Sequence, residues 1–425
     1  MRARALCLLG FAACSAPLAA DPPRPVAAPE SSALPARFPL PATLPARYLR
    51  TLEHDPGGYD ASSPPGGPMR GEATDLLLGD LLYHAPDTLG PRARALGLSC
   101  QSCHPNGAAN TAFMIKGLGD RPGNVDLSTR FFRSGAADDL DNPVNIPSLR
   151  GARFTGPYGH DGRTASLAEF TEGVVSGEFD GDPLPPRELA ALVRYVQELD
   201  FLPNEKLDAR SRLSASASEE ARRGEAIFLR PMAAFDGGSC ATCHVPSTFF
   251  RDGKTHRIGA DSPPVPHALE DGQETPTLLG TAETAPYFHD GRFATLREVV
   301  GWFDSAYGLS LTAADRDALT AYVEAVGAID RPSDDRPLAR KLSQTFAYAA
   351  LLVDPAARVR LAAREAVLVE LVGAPPAVAD RARALDADLR AMPLDRAPLQ
   401  APQARALRSD LTRLAADWSG ALAPR

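Results

Sequence analysis

Two short runs hold the residues most able to do chemistry: Cys100-Gln101-Ser102-Cys103-His104 and Cys240-Ala241-Thr242-Cys243-His244. In each, two thiols stand one helical turn apart and a histidine follows directly. Two chemistries compete for this pattern. Four thiolates from two pairs could close a tetrahedral zinc site. Alternatively, each pair adds to the two vinyl groups of one haem, and the adjacent imidazole meets the iron from the proximal side. The histidine directly after both pairs favours haem. So does the long segment between the pairs, which carries a repeat of its own. The chain has six cysteines; Cys7 and Cys14 lie in its opening residues and the other four all sit in these runs. None is left over for a structural disulfide.

What such an iron does depends on the group opposite the histidine. No histidine lies between His104 and His160. Met114 could ligate, but between Phe113 and Ile115 it reads more plainly as a core residue. A strong sixth ligand makes an electron carrier; an open or weakly occupied site admits peroxide or oxygen.

The elements that must position these groups come in two copies. Asn145-Ile146-Pro147-Ser148-Leu149-Arg150-Gly151 leads to Pro157-Tyr158-Gly159-His160-Asp161-Gly162-Arg163. Thr275-Pro276-Thr277-Leu278-Leu279-Gly280 leads to Pro286-Tyr287-Phe288-His289-Asp290-Gly291-Arg292. A hydroxyl-capped helix start follows in each, Ser166-Leu167-Ala168-Glu169 and Thr295-Leu296-Arg297-Glu298. Apolar helices close the copies over 188–199 and 314–326, and a leucine-rich helix is expected near residues 76–82. A cysteine pair precedes each copy, as a duplicated cofactor-binding unit requires.

Flanking segments differ in kind. Arg2 and Arg4 precede a short apolar run and small residues, the order of an export signal over residues 1–20. Phe11-Ala12-Ala13-Cys14 resembles a lipobox with Cys14 as the lipidated residue; an ordinary cut near Ala19-Ala20 is the alternative. Residues 21–72 are rich in Pro, Ala and Gly and read as a tether. From about Ser333 the chain turns rich in Ala, Arg and Leu, with helical patterning over 344–353 and 377–392. No later run approaches the roughly eighteen apolar residues of a spanning helix, so any membrane link is an anchor. A net charge of −8 argues against nucleic acid.

From about residue 73 to 330 the sequence resembles the bacterial di-haem cytochrome c peroxidase and MauG-like family. The paired CxxCH runs, the PSL and PTL turns, and Thr284-Ala285-Pro286-Tyr287-Phe288-His289-Asp290-Gly291 followed by Thr295-Leu296 carry the resemblance. It implies an all-α fold of two cytochrome c-like haem domains in tandem, 73–205 and 206–332, with a helical extension over 333–425. It also implies a catalytic N-terminal haem, an electron-transferring C-terminal haem and a calcium ion held by Asn145, Thr284 and Pro286. Oxygen donors suit calcium. The family's catalytic carboxylate falls at Asp180, with Glu178 two residues earlier, and would move the proton during peroxide cleavage.

For the second iron, a count from His289 reaches Phe303, which cannot ligate. A count back from the following helix brings Tyr307 opposite Asp180, and Tyr307 is the candidate distal ligand. Where the family carries Trp before its first Asp-Gly-Arg, this chain has His160; its tryptophans are Trp302 and Trp418. His160 and His289 read as structural, and His256 as a packing residue.

The expected function is a periplasmic or secreted oxidoreductase. Its partners would be hydrogen peroxide, a small redox protein or other electron donor, and a protein or organic substrate. A non-catalytic electron carrier with strong ligands drawn from Met114, His160 or His84 is the alternative, as is a divergent oxygenating haem enzyme.

Overall fold

The computed structural model describes residues 72–133, 135, 140–258, 272–329, 342 and 345–422. The segments read as export signal and, but for Glu72, as tether lie outside these residues. Helices are α1 (Glu72–His84), α2 (Pro91–Ala95), α3 (Cys100–Cys103), α4 (Leu167–Glu172), α5 (Pro186–Gln197) and α6 (Glu219–Leu229). There follow α7 (Cys240–Cys243), α8 (Leu296–Tyr307), α9 (Ala313–Gly327), α10 (Ala357–Leu371), α11 (Ala379–Ala391) and α12 (Ala401–Ala421). Two antiparallel pairs of two-residue strands interrupt an otherwise helical fold. In one, β1 (Asn124–Val125) faces β2 (Val144–Asn145); in the other, β3 (Thr255–His256) faces β4 (Gln273–Glu274). Both second strands run straight into the Pro147 and Pro276 turns of the repeat.

The duplication is visible in the helix packing. Leu76, Leu77, Leu78, Leu81 and Leu82 make α1 apolar around most of its surface, and all five are buried. α1 crosses α5 at Gly79, where a Cβ would stand 2.1 Å from the Ala191 carbonyl oxygen. α6 crosses α9 in the same way at Gly224, where a Cβ would stand 1.9 Å from the Ala318 oxygen. Only glycine permits this backbone approach. Four residues on from each glycine an aromatic ring meets a tyrosine. Tyr83 packs on Tyr195 at 5.0 Å and Phe228 on Tyr322 at 4.8 Å between centroids. Both units thus rest on one kind of helix crossing.

The apolar cores divide unevenly. One cluster runs from Leu213 to Val326 and belongs to the second unit alone. The other joins the first unit, Leu77 to Leu199, with Leu342 to Trp418. The segment read as an extension therefore shares a continuous core with the first unit. Polar contacts fix this junction: Tyr348 Oη donates to the buried Asp80 Oδ2 at 2.7 Å, and Arg187 meets Asp354 at 2.8 Å. Arg358 pairs with Glu188 beside them.

Gly79→Ala should cost about 2–3 kcal/mol, because the added methyl must force two helices apart. Gly420→Ala, where a Cβ meets nothing within 4 Å, should be neutral or slightly stabilising. Urea midpoints of the two variants give the comparison.

Candidate functional site

α3 and α7 are single turns, each closed by a hydroxyl that its own cap residue bonds. Ser99 N donates to Ser102 Oγ at 3.0 Å, and Ser239 N to Thr242 Oγ1 at 2.9 Å. One turn of helix places both thiols of a pair on one side. All four are free and half-buried. Burial pushes Cys100 and Cys103 up to about 12 and Cys240 up to about 11, so these sulfurs are held as thiols. Among the described residues the two pairs do not gather into one four-sulfur cluster. That weighs against a shared zinc site.

The following histidines are oriented alike. His104 Nδ1 bonds the Pro147 carbonyl oxygen at 2.9 Å. His244 Nδ1 bonds the Phe250 oxygen at 3.2 Å, with the Pro276 carbonyl also facing it. A carbonyl only accepts, so the proton sits on Nδ1 and the Nε2 lone pair is left for a metal. Burial pushes His104 down to about 4 and lowers His244 as well, which keeps both imidazoles neutral. Tyr83 Oη donates to the His104 carbonyl from α1. Paired thiols on one face with a neutral, oriented imidazole beside them fit a covalently held haem at each run.

Between the units lies a reciprocal seam. Asn145 N donates to His289 O at 2.7 Å, and Glu274 N to His160 O at 2.9 Å. His160 Nε2 donates to Asn145 O at 3.0 Å. Burial first, and His289 second, push His160 down to about 4. With Nε2 bonded to a carbonyl, His160 serves the seam. Arg121 Nη1 reaches Gly291 O at 3.0 Å, and Phe154 stacks on Phe249 at 4.7 Å. The buried Arg251 bonds Thr275 O and Gly156 O, both at 3.2 Å, and pairs with Glu274.

Of the three candidate calcium donors, Asn145 and Pro286 are brought together, the Asn145 amide contacting the Pro286 carbonyl. Thr284 bonds Thr281 O through Oγ1 at 3.1 Å, two residues before Pro286. A cation here requires the Asn145 amide turned so that Oδ1 faces the carbonyl oxygens.

The open-face candidates lie at two matching helix ends. After the Ser166 cap, α4 runs into a π-helical turn, Gly173–Glu178; after the Thr295 cap, α8 ends at Tyr307. Both helical stretches, 167–178 and 296–307, are the same length, so Glu178 and Tyr307 occupy the same terminal position. The two residues by which the copies differ fall in the next loop, 179–184 against 308–311. Counted from the helix start, Tyr307 matches Glu178; counted back from the following helices, which begin at Pro186 and Ala313, it matches Asp180. Asp180 lies within the loop in a left-handed conformation, φ 51°.

Glu178 is the carboxylate with a built setting. Arg163 Nη2 donates to its Oε1 at 3.1 Å, while Nη1 bonds the buried Asp161 Oδ1 at 3.1 Å. Burial raises the Glu178 carboxyl, and Arg163 and Arg133 pull it back. Tyr307 stacks on Phe303 with centroids 5.9 Å apart, and its edge meets Trp302 at 6.4 Å. Burial raises its phenol, with the nearby Cys243 adding to the shift. Sequence reasoning quoted Arg163 only as part of a motif; its tie to Glu178 spans fifteen residues and has no local signal.

The ligands an electron carrier would need are differently placed. Met114 is exposed while Phe113 and Ile115 are buried, because an extended segment alternates its faces. The expectation of a core methionine is therefore corrected. His84 Nδ1 bonds Asp80 O at 2.8 Å on its own helix. His256, read as a packing residue, is instead partly exposed and bonds Asp252 Oδ2 at 2.7 Å. With Cys243 these two form the one group among the described residues whose donor atoms lie within 4.8 Å of one another.

Residues 218–353 match the family model of the di-haem cytochrome c peroxidases. The hydrazine synthase gamma subunit of Kuenenia stuttgartiensis is 27% identical over 240 residues, covering 48% of this chain and 63% of that protein. The methylamine utilization protein MauG of Methylophilus methylotrophus is 35% identical over 81 residues, 19% of this chain and 22% of its own. MauG of Methylorubrum extorquens is 31% identical over 111 residues, 26% and 28%. The chain thus spans less than two thirds of each of these relatives.

Among solved structures, Kuenenia stuttgartiensis hydrazine synthase aligns with TM-score 0.43 and 20% identity, over 76% of this chain and 100% of that one. A MauG-like protein associated with microbial copper homeostasis aligns with TM-score 0.44 and 20% identity, over 72% and 96%. At these TM-scores the two alignments carry no functional weight. By the family match and the sequence relatives, the chain is similar to the di-haem cytochrome c peroxidase and MauG-like proteins. That similarity supports haem redox chemistry as the class of function.

Arg251→Met should destabilise the fold by about 3 kcal/mol, since it strands the partly buried Glu274 charge at the seam. Adding Glu274→Gln should recover much of that loss. Chemical denaturation of the single and double variants is the measurement.

Proposed function

We propose that this protein is an exported di-haem c-type oxidoreductase that reacts with hydrogen peroxide, its first unit catalytic and its second transferring electrons. The observation that carries the reading is the difference between two equivalent helix ends: an arginine-bound carboxylate, Glu178, in one and a phenol, Tyr307, in the other. Such a division suits one iron that reacts and one that passes charge. Its units are 73–205 and 206–332. Export to the periplasm, with or without a lipid at Cys14, follows from the opening residues and from the extracytoplasmic setting of c-type haem attachment.

Cys100 and Cys103, and Cys240 and Cys243, would each hold a haem, whose iron would supply the capacity to accept peroxide or single electrons. His104 and His244 would hold those irons, and the main-chain carbonyls at Nδ1 keep the rings from turning. Glu178 takes a proton from the peroxide oxygen and returns it to the departing one. Reduction to two waters consumes two electrons and two protons. The electrons come from a small redox protein or from a protein or organic substrate. Tyr307, packed by Phe303 and Trp302, would serve as ligand to the second iron. Asn145, with its amide turned, Thr284 and Pro286 would hold a calcium ion at the seam.

Protein expressed with haem-attachment machinery should retain two haems after denaturation, read by pyridine haemochrome and intact mass; recovery of apoprotein alone would end the proposal. Glu178→Gln should keep both haems and slow the peroxide reaction by about a hundredfold or more. Asp180→Asn should alter it far less, and the reverse order would return the role to Asp180. Tyr307→Phe should change the absorption of the second haem only, seen by comparing spectra with Cys240→Ala/Cys243→Ala protein.

A further inference from the structure

The repeat contains its own control for the role of Arg163. Each copy has an Asp-Gly-Arg turn, and in the second copy the arginine closes on its own aspartate. Arg292 Nε bonds Asp290 Oδ1 at 3.0 Å and Oδ2 at 2.8 Å, and its Nη2 lies 2.7 Å from Oδ2. In the first copy only Nη1 goes to the aspartate, and Nη2 crosses to Glu178.

The residue two positions before each aspartate accounts for the difference. In the first copy it is Gly159, at φ +95°, where a Cβ would stand 2.6 Å from Arg163 Nη1 and 2.8 Å from Asp161 Oδ1. In the second copy it is Phe288, whose ring packs on Trp302 at 4.9 Å. Glycine thus leaves the space in which the Arg163 guanidinium lies, whereas the matching position in the second copy carries a phenylalanine side chain. Phe170 supports the guanidinium from the side, its ring centroid 5.3 Å from Arg163 Cζ. Asp161 is almost completely buried and anchors the clamp.

We propose that Arg163 is a positioning residue: bridged to the buried Asp161, it holds the Glu178 carboxylate in place at the end of the first unit's helix. The inference rests on the reading of Glu178 as the proton-transferring group and adds the residue that makes it competent. A planar guanidinium with two donors can bond both carboxylates at once. The charged groups facing Glu178 are Arg163 and Asp161 from the Asp-Gly-Arg turn and Arg133 from the segment before residue 140, with His160 beside that turn. Arg163 and Arg133 favour the ionised carboxylate; burial and Asp161 oppose it. Removing Arg163 therefore moves Glu178 toward the protonated form at a given pH.

The test uses the full-length holoprotein. Difference infrared titration follows the carboxyl band that is lost in Glu178→Gln, and so reads Glu178 without any turnover. In Arg163→Gln this band should titrate at least about one pH unit higher, and the acid limb of the peroxide reaction should move with it. Arg163→Lys should return both most of the way, since it restores the charge without the fork. Unchanged titration in folded Arg163→Gln, with haem content and melting temperature retained, overturns the clamp. If Arg163→Gln fails to fold, Arg163→Lys decides: a carboxyl and acid limb that shift from the parent protein by about one pH unit or more also overturn it. A shifted carboxyl with a peroxide rate indifferent to it upholds the clamp and sinks the proton-transfer role instead.

Discussion

The geometry depends first on one hydrogen bond made twice, from a histidine Nδ1 to a main-chain carbonyl. An imidazole held this way has one proton position and one bare nitrogen. For His104 the acceptor is Pro147, which follows β2 directly. β2 in turn is fixed from outside its own unit, since Asn145 N bonds His289 O. The orientation of the first histidine therefore depends on the second unit, and the reciprocal bond from Glu274 to His160 ties the second unit to the first. His244, by contrast, takes its acceptor Phe250 from its own unit.

On this shared frame the two copies have diverged where it matters for chemistry. Helix crossings at Gly79 and Gly224, capped single turns for the cysteines, and equal helix lengths after the Asp-Gly-Arg turn are common to both. What differs is confined to a few positions: Gly159 against Phe288, Glu178 against Tyr307, and two loop residues. The first copy gains a charged network of Asp161, Arg163 and Glu178. The second gains an aromatic cluster of Phe288, Trp302, Phe303 and Tyr307. A charged network favours proton movement; a cluster of rings excludes water and offers no proton relay.

Much of this was legible in the sequence, for reasons that can be named. The cysteine runs, the repeated turns, and the helices near 76–82, 188–199 and 314–326 are local patterns, and each lies within a residue or a few of its structural counterpart. Loop length is what one sequence leaves open: the two-residue difference sets Tyr307 opposite Glu178 counted from the helix start and opposite Asp180 counted from the next helix. Through-space partners left no trace either, as with Arg163 and Glu178 or Tyr83 and the His104 carbonyl. Two helices were missed that a stricter search would have found. In α12 the buried Ala404, Leu407, Leu411, Leu414 and Trp418 recur every three to four residues, and α10 follows a similar course. Abundant alanine and arginine blurred both stripes.

The shared core of residues 77–199 and 342–418 carries a consequence for how the molecule is made. A ribosome delivers the second unit whole before it delivers α10, α11 and α12, which finish the first. Until then α1 and α5 show an oily flank to water, and Asp80 waits for the hydroxyl of Tyr348. The earlier-born unit is thus the later to mature. Cys100 and Cys103 belong to the unit that closes last, whereas Cys240 and Cys243 belong to one whose core is complete without the later helices.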